Sequence, residues 1–116
     1  TVIYGITNCD SCRKAFAWLR ANGHPFQFHD LRLQGPPEAS RIHVWCERLG
    51  WESVLNRRST TFRALAQCDQ VINDDTDAVN LIRRYPLLLK RPLIETGTAV
   101  FAGFDPDQLT GLLSDA

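Results

Sequence analysis

Two cysteines placed where a strand gives way to a helix constrain this chain more than any other feature. The segment Thr7-Asn8-Cys9-Asp10-Ser11-Cys12-Arg13-Lys14 follows the β-prone run Val2-Ile3-Tyr4 and leads into Ala15, Phe16, Trp18 and Leu19 at helical spacing. Between strand and helix, Gly5 can take an unusual turn conformation. Cys9 therefore falls just before, or at, the helix start. Unpaired backbone N–H groups and the positive end of the helix dipole stabilise a thiolate there. Arg13 and Lys14 add positive charge one turn on, and Cys12 is positioned to resolve a mixed disulfide at Cys9.

The order of the remaining elements points to one architecture. The first helix ends near Asn22-Gly23, and His24-Pro25 opens a strand over Phe26 to His29, so the strand, helix, strand unit should be parallel and right-handed. A helical stretch follows, broken by Gly35-Pro36-Pro37. Pro37 then suits the first turn of a helix whose inward stripe is Ile42, Trp45, Cys46 and Leu49, and Gly50 ends it before the short apolar segment of Trp51, Val54 and Leu55. A short helix is expected around Phe62 to Ala66. The next helix, capped by Asp74 or Asp75, presents Ala78, Leu81, Ile82 and Tyr85 and stops at Pro86. Leu93-Ile94-Glu95 and Ala99-Val100-Phe101 flank Thr96-Gly97-Thr98 as an antiparallel hairpin, and a last helix runs from Pro106 to Leu113. The reading is an α/β, thioredoxin-like fold: a small mixed four-stranded sheet with a helical insertion between the βαβ and ββα halves. With 116 residues, one domain spanning 1–116 is expected.

Composition excludes several functions. Thirteen basic and thirteen acidic residues cancel, so no global field draws the chain to nucleic acid or to an anionic membrane. Eleven of the basic residues are Arg, a bias read as compositional. No apolar run approaches the roughly 18 residues of a membrane span, and the amino end lacks a signal-peptide layout, so a cytoplasmic protein, most simply a monomer, is expected. In a reducing compartment Cys9 and Cys12 read as redox-active or metal-binding. A four-cysteine zinc site needs a second close pair, which Cys46 and Cys68 do not form, so no metal is expected. Cys46 and Cys68 both read as apolar filling, the latter because it follows Phe62 and Leu65 at three-residue steps before Val71 and Ile72.

A second chemical feature is Lys90-Arg91-Pro92. A proline at the mouth of a strand cannot donate to the sheet. In a thioredoxin-type site this position faces the cysteine loop, commonly with a cis bond before it, which would bring Arg91 near Cys9. Other polar groups read more plainly. His29 and Asp30 are adjacent on a strand and point to opposite faces, which argues against a catalytic dyad. His24 and His43 read as surface or loop residues, and Trp18, Trp45 and Trp51 as core or rim packing. Thr60 and Thr61 could offer hydroxyls to an anion, with helix capping accounting for at least one of them.

Six segments together carry a resemblance over nearly the whole chain. They are Tyr4-Gly5-Ile6-x-Asn8-Cys9, Cys9-x-x-Cys12-Arg13-Lys14-Ala15, Phe28-His29-Asp30, Gly50-Trp51, Leu55-Asn56-x-Arg58-x-Thr60-Thr61-Phe62 and Lys90-Arg91-Pro92. In this order they resemble the arsenate reductase/Spx (ArsC-like) family, and most closely its short YffB-type bacterial branch. The resemblance implies Cys9 as nucleophile, Arg91 as an oxyanion-binding arginine beside Pro92, and turnover supported by glutathione, with glutaredoxin a further candidate partner. Its arsenate enzymes use three arginines and generally one cysteine in this loop. Here two of the three arginine positions hold Asn56 and Gly103, and Cys12 is an added thiol.

Two classes of function follow. As an enzyme, the chain would be a cytosolic thiol-dependent reductase, without a tightly bound cofactor. Cys9, Cys12 and Arg91 would be catalytic, and Asn8, Arg13, Arg58, Thr60 and Pro92 would bind a small oxyanion, a disulfide or glutathione as thiol co-substrate. As a regulator of the Spx type, it would dock on RNA polymerase without turnover and without touching nucleic acid, Cys9 and Cys12 acting as a switch. Only Ser114-Asp115-Ala116 follow Leu113, so a long docking or degradation tail is not expected, which favours the enzyme.

Overall fold

Val2, Ile3 and Tyr4 form β1 (Val2–Gly5), which lies in the middle of a sheet because its neighbours supply partners on both edges. A computed structural model describes the backbone of residues 1–97 and 99–114 and the side chains of 1–97 and 99–111. On one edge β1 runs parallel to β2 (Gln27–Asp30), with Val2 opposite Gln27 and Gly5 opposite Asp30. On the other it pairs antiparallel with β3 (Leu93–Thr96), which turns back into β4 (Ala99–Ala102). The order β2-β1-β3-β4 is the mixed four-stranded sheet expected of a thioredoxin-like fold. Thr98, in the expected hairpin turn, lies outside the described residues.

Alternation along β1 divides the core in two. Ile3 faces α1 (Asp10–Ala21) and α7 (Pro106–Ser114), packing with Ala15, Leu19, Ile94 and Leu109. Tyr4 faces the helical insertion between β2 and β3: α2 (Leu31–Gln34), α3 (Ala39–Leu49), α4 (Trp51–Val54), α5 (Thr60–Arg63) and α6 (Asp75–Arg84). There Ile42, Trp45, Leu55, Ile82, Leu88 and Leu93 are fully or almost fully buried. Each such aliphatic side chain contributes about 1.5–3 kcal/mol by leaving water. Trp45 is enclosed, its indole N–H donating to Glu95 Oε2 at 2.9 Å, while Trp18 and Trp51 lie partly buried at the rims.

Several local expectations shift. Pro37 lies two residues before α3, whose N-cap is Glu38, because the chain is still extended there. The short helix predicted from Phe62 to Ala66 starts earlier, at Thr60, since the Ser59 hydroxyl accepts from the Phe62 N–H at 3.2 Å and caps it. Neither Thr60 nor Thr61 is the cap. Of the two candidate caps for α6, Asp74 accepts from Asp77 N–H at 2.9 Å. Cys68 is exposed, contrary to its reading as core filling. The helix that would have carried its stripe ends at Arg63, and a 3-10 turn over Gln67–Gln70 breaks the phase, leaving Val71 exposed as well. Cys46 is buried, as expected.

One end of the sheet collects the chemistry. β1 and β2 both finish there, Gly5 opposite Asp30, and antiparallel β3 begins there, Leu93 opposite Tyr4. The cysteine loop, α2 and the Arg91-Pro92 segment therefore leave or enter the sheet side by side.

Candidate active site

Cys9 is the N-cap residue of α1, with extended backbone (φ −125°, ψ 122°). Its side chain makes no capping hydrogen bond, and its carbonyl accepts from the Arg13 N–H at 3.0 Å. The half-buried sulfur thus stands beside the unpaired N–H groups of a twelve-residue helix.

Cys12, in the first turn, is fully buried. Burial is the largest cause pushing its thiol up to about 12. The Ile6 backbone N–H, which donates to the Cys12 sulfur, works against this. The contact with Cys9, to which the Cys12 S–H donates, adds to the rise, and the Arg91 guanidinium opposes it. Cys12 is thus a protonated donor to Cys9 at neutral pH. Both thiols are free.

The Arg91–Pro92 peptide bond is cis, as the strand-mouth position suggested, and Pro92 is buried. Its carbonyl accepts from Gly103 N–H at 2.8 Å. Upstream, Lys90 N–H donates to the Val54 carbonyl and Asn56 N–H to the Leu88 carbonyl, each at 2.8 Å, around the Leu55–Leu89 bridge. These bonds fix the Asn56–Arg58 loop beside Lys90. Between them opens a cavity of about 340 Å³ lined by Asn56, Arg57, Arg58, Lys90, Glu52 and Ser53. Arg57 also lies over the Trp51 ring, 5.0 Å from its centroid.

The other sequence-predicted residues are distributed unevenly. Asn8 accepts from Arg32 Nη1 at 3.2 Å. Arg13 turns to Asp10 on the exposed surface of α1, so its charge is locally neutralised. Arg58 lines the basic cavity while its N–H donates to Asn56 Oδ1 at 3.1 Å. Thr60 is an exposed first-turn residue of α5 and does not line that cavity. Asp30 is committed to capping α2, accepting from the N–H groups of Arg32 and Leu33, and His29 Nε2 bonds the Gly35 carbonyl at 2.8 Å. That division of roles agrees with their opposite strand faces.

Sequence reasoning missed Arg32 and Lys90. The Asp-Leu-Arg run after β2 does signal a capped turn, but nothing in it tells that Arg32 reaches a residue 24 positions earlier. Lys90 was passed over for Arg91, although the cross-strand pairing of residues 54–56 with 88–90 brings it to the arginine loop. Among the described residues, no cluster of three or more His, Cys, Asp or Glu side chains is arranged as a metal site, and no helix is long and apolar enough to cross a membrane.

Known proteins are similar to this chain in fold and in sequence. The structure of a YffB protein superposes with a TM-score of 0.90 at 36% identity, covering 95% of this chain and 96% of that one. An uncharacterized Haemophilus influenzae protein is 33% identical over 103 residues, which are 89% of this chain and 90% of its own. The global transcriptional regulator Spx 1 of Lactococcus lactis is 32% identical over 114 residues, covering 96% and 87%. The ArsC family model matches residues 4–112, and with relatives of this length and identity the chain belongs to the ArsC family, as a protein of the YffB type.

Proposed function

We propose that this chain is a thiol-based reductase, linked to glutathione, in which Cys9 is the nucleophile. The observation that carries this reading is Cys9 at the amino end of α1, receiving the Cys12 S–H, with Arg91 on the adjoining segment. Family membership supports thiol chemistry in general; the substrate and the thiol donor are our inference.

The Cys9 thiolate attacks one sulfur of a disulfide. A bond forms between that sulfur and Cys9 as the original S–S bond breaks, and the departing thiolate takes a proton from water. The free N–H groups at the amino end of α1 offer hydrogen bonds to the attacking sulfur. A second thiol then attacks Cys9. If it is Cys12, its thiol gives up a proton as a Cys9–Cys12 disulfide forms and the bound thiol leaves; if it is glutathione, a Cys9–glutathione disulfide forms as the bound thiol leaves, and a second glutathione attacks the glutathione sulfur, freeing Cys9 and forming glutathione disulfide. Glutathione supplies both electrons in either case, directly or by reducing the intramolecular disulfide.

Arsenate is the less favoured substrate. Asn56 spends its carboxamide oxygen on the Arg58 N–H. Gly103 has φ +89°, which disfavours any side chain, and a Cβ there would lie 3.8 Å from Lys90 Cε. Arg57, Arg58 and Lys90, with Glu52, instead line a cavity of about 340 Å³, which has room for a carboxylate-bearing thiol and not only for a compact tetrahedral anion.

Single-turnover reaction of the reduced protein with glutathione disulfide and, separately, arsenate, with adducts located by mass spectrometry and Cys9→Ser as control, tests the reading. A Cys9–glutathione adduct without arsenate turnover supports it. Arsenate-dependent oxidation requiring Cys9 and Arg91 would make arsenate the substrate. Inertness to both would favour the regulator reading; transcriptional regulation is the function named for its Spx 1 relative.

A further inference from the structure

Arg32 and Arg91 stand on opposite flanks of the strand that carries the cysteine loop. In the order β2-β1-β3, the cysteine loop leaves the central strand, Arg32 follows β2 and Arg91 precedes β3, all at one end of the sheet. Arg32 Nη1 donates to the carboxamide of Asn8, the residue next to Cys9. The charge of Arg91 acts on the Cys12 thiol, which itself donates to Cys9. Among the described residues neither guanidinium is paired with a carboxylate, whereas Arg13 is paired with Asp10.

Arg32 is also held on a fixed frame. Asp30, 8% exposed, accepts from the Arg32 N–H at 2.9 Å and the Leu33 N–H at 3.3 Å, and its own N–H donates to Gln34 Oε1 at 2.8 Å. One neutral acceptor on a guanidinium with five N–H donors leaves most of its fork and all of its charge available to a ligand.

We infer that Arg32 is a specificity-determining residue and that, with Arg91, it brackets Cys9 so as to select a low-molecular-weight thiol or disulfide carrying a carboxylate on each side of its sulfur. The inference rests on the proposed thiol-reductase reading for the role of Cys9, but the cation pair is testable without turnover. A ligand with one carboxylate engages one arginine; a ligand with two, spaced about its sulfur, engages both and is held with the sulfur over Cys9.

The test uses S-methylglutathione, which cannot exchange disulfides, and its dimethyl ester, with binding to the reduced protein followed by calorimetry. The free acid should bind the wild type more tightly than the diester. Arg32→Gln should cut affinity for the acid about tenfold, and Arg32→Lys should recover part of it. Equal affinity of the wild type for acid and diester, or a preference unchanged in Arg32→Gln, would overturn the inference. A circular dichroism melt of each variant guards against misfolding, and if Arg32→Gln unfolds, Arg32→Lys and the acid-to-diester ratio of the wild type decide. Binding of the acid as expected, with no turnover of glutathione disulfide, would defeat the reductase reading and leave the carboxylate selection standing.

Discussion

The Cys12 sulfur lies so close to the backbone of Gly5 that a Cβ built on Gly5 would sit 2.5 Å from Sγ. The glycine is needed for this close approach: β1 has no side chain at the one point where the first turn of α1 lays its buried thiol against the strand. Gly5→Ala should therefore displace Cys12 and destabilise the fold by about 1–3 kcal/mol, the usual cost of overpacking. Denaturant unfolding measures the loss, and faster alkylation of Cys12 would report the displaced sulfur. An alanine variant of wild-type stability with Cys12 still protected would contradict the close contact.

Alkaline pH should weaken the fold. The Cys12 thiol is raised from 9.0 to about 12 and that of Cys46 from 9.0 to about 11, burial being the leading cause for each. Below pH 9 both thiols are protonated whether the chain is folded or not. Above it the unfolded chain releases protons first, so stability falls with rising pH until the folded thiols ionise. Unfolding midpoints measured from pH 7.5 to pH 10.5 should decline above pH 9, and Cys46→Ala should flatten part of the decline. A midpoint constant over that range would count against the burial of both groups.

The legible part of this chain was the part governed by local chemistry. Cys9 at a helix start, Pro92 at a strand mouth and the parallel-then-antiparallel strand order follow from turn residues and periodicity, and the fold bears them out. Cys68 was misread because a three-residue rhythm was extended past Ala64, where the backbone changes from α-helix to a 3-10 turn. The same limit hid Arg32 and Lys90. Each lies in a sequence that looks like an ordinary exposed turn, and each owes its position to a contact across the fold: Asn8 for Arg32, the Val54 carbonyl for Lys90. Asn56 and Gly103 could be seen to lack guanidinium groups, but not that Lys90 lies beside Gly103.

Glu95 holds the core face of the sheet to α3. One carboxylate oxygen accepts from the fully buried Trp45 indole and the other from Arg41. Glu95→Ala should leave the indole N–H unsatisfied and cost about 1–3 kcal/mol, while Glu95→Gln, which keeps an acceptor, should cost less. Tryptophan fluorescence during urea unfolding reads both. Equal stability of the alanine and glutamine variants would mean that the indole bond contributes nothing.

Arg91→Ala should slow the chemistry rather than unfold the protein. Arg91 is only partly buried, and among the described residues it forms no ion pair whose loss would leave a buried carboxylate. Its charge nonetheless opposes the rise of the Cys12 thiol. On the proposed reading, removing it takes away a positive charge that would attract an anionic substrate to Cys9. The expected loss is about 10- to 100-fold in the second-order rate of adduct formation with glutathione disulfide, larger at low ionic strength, where screening is weak. Arg91→Lys should recover the charge but not the fork, and so regain only part of the rate. Stopped-flow measurement of thiol consumption at two salt concentrations separates these effects. A salt-independent defect shared equally by Arg91→Ala and Arg91→Lys would assign Arg91 to shaping the Pro92 segment instead of to charge.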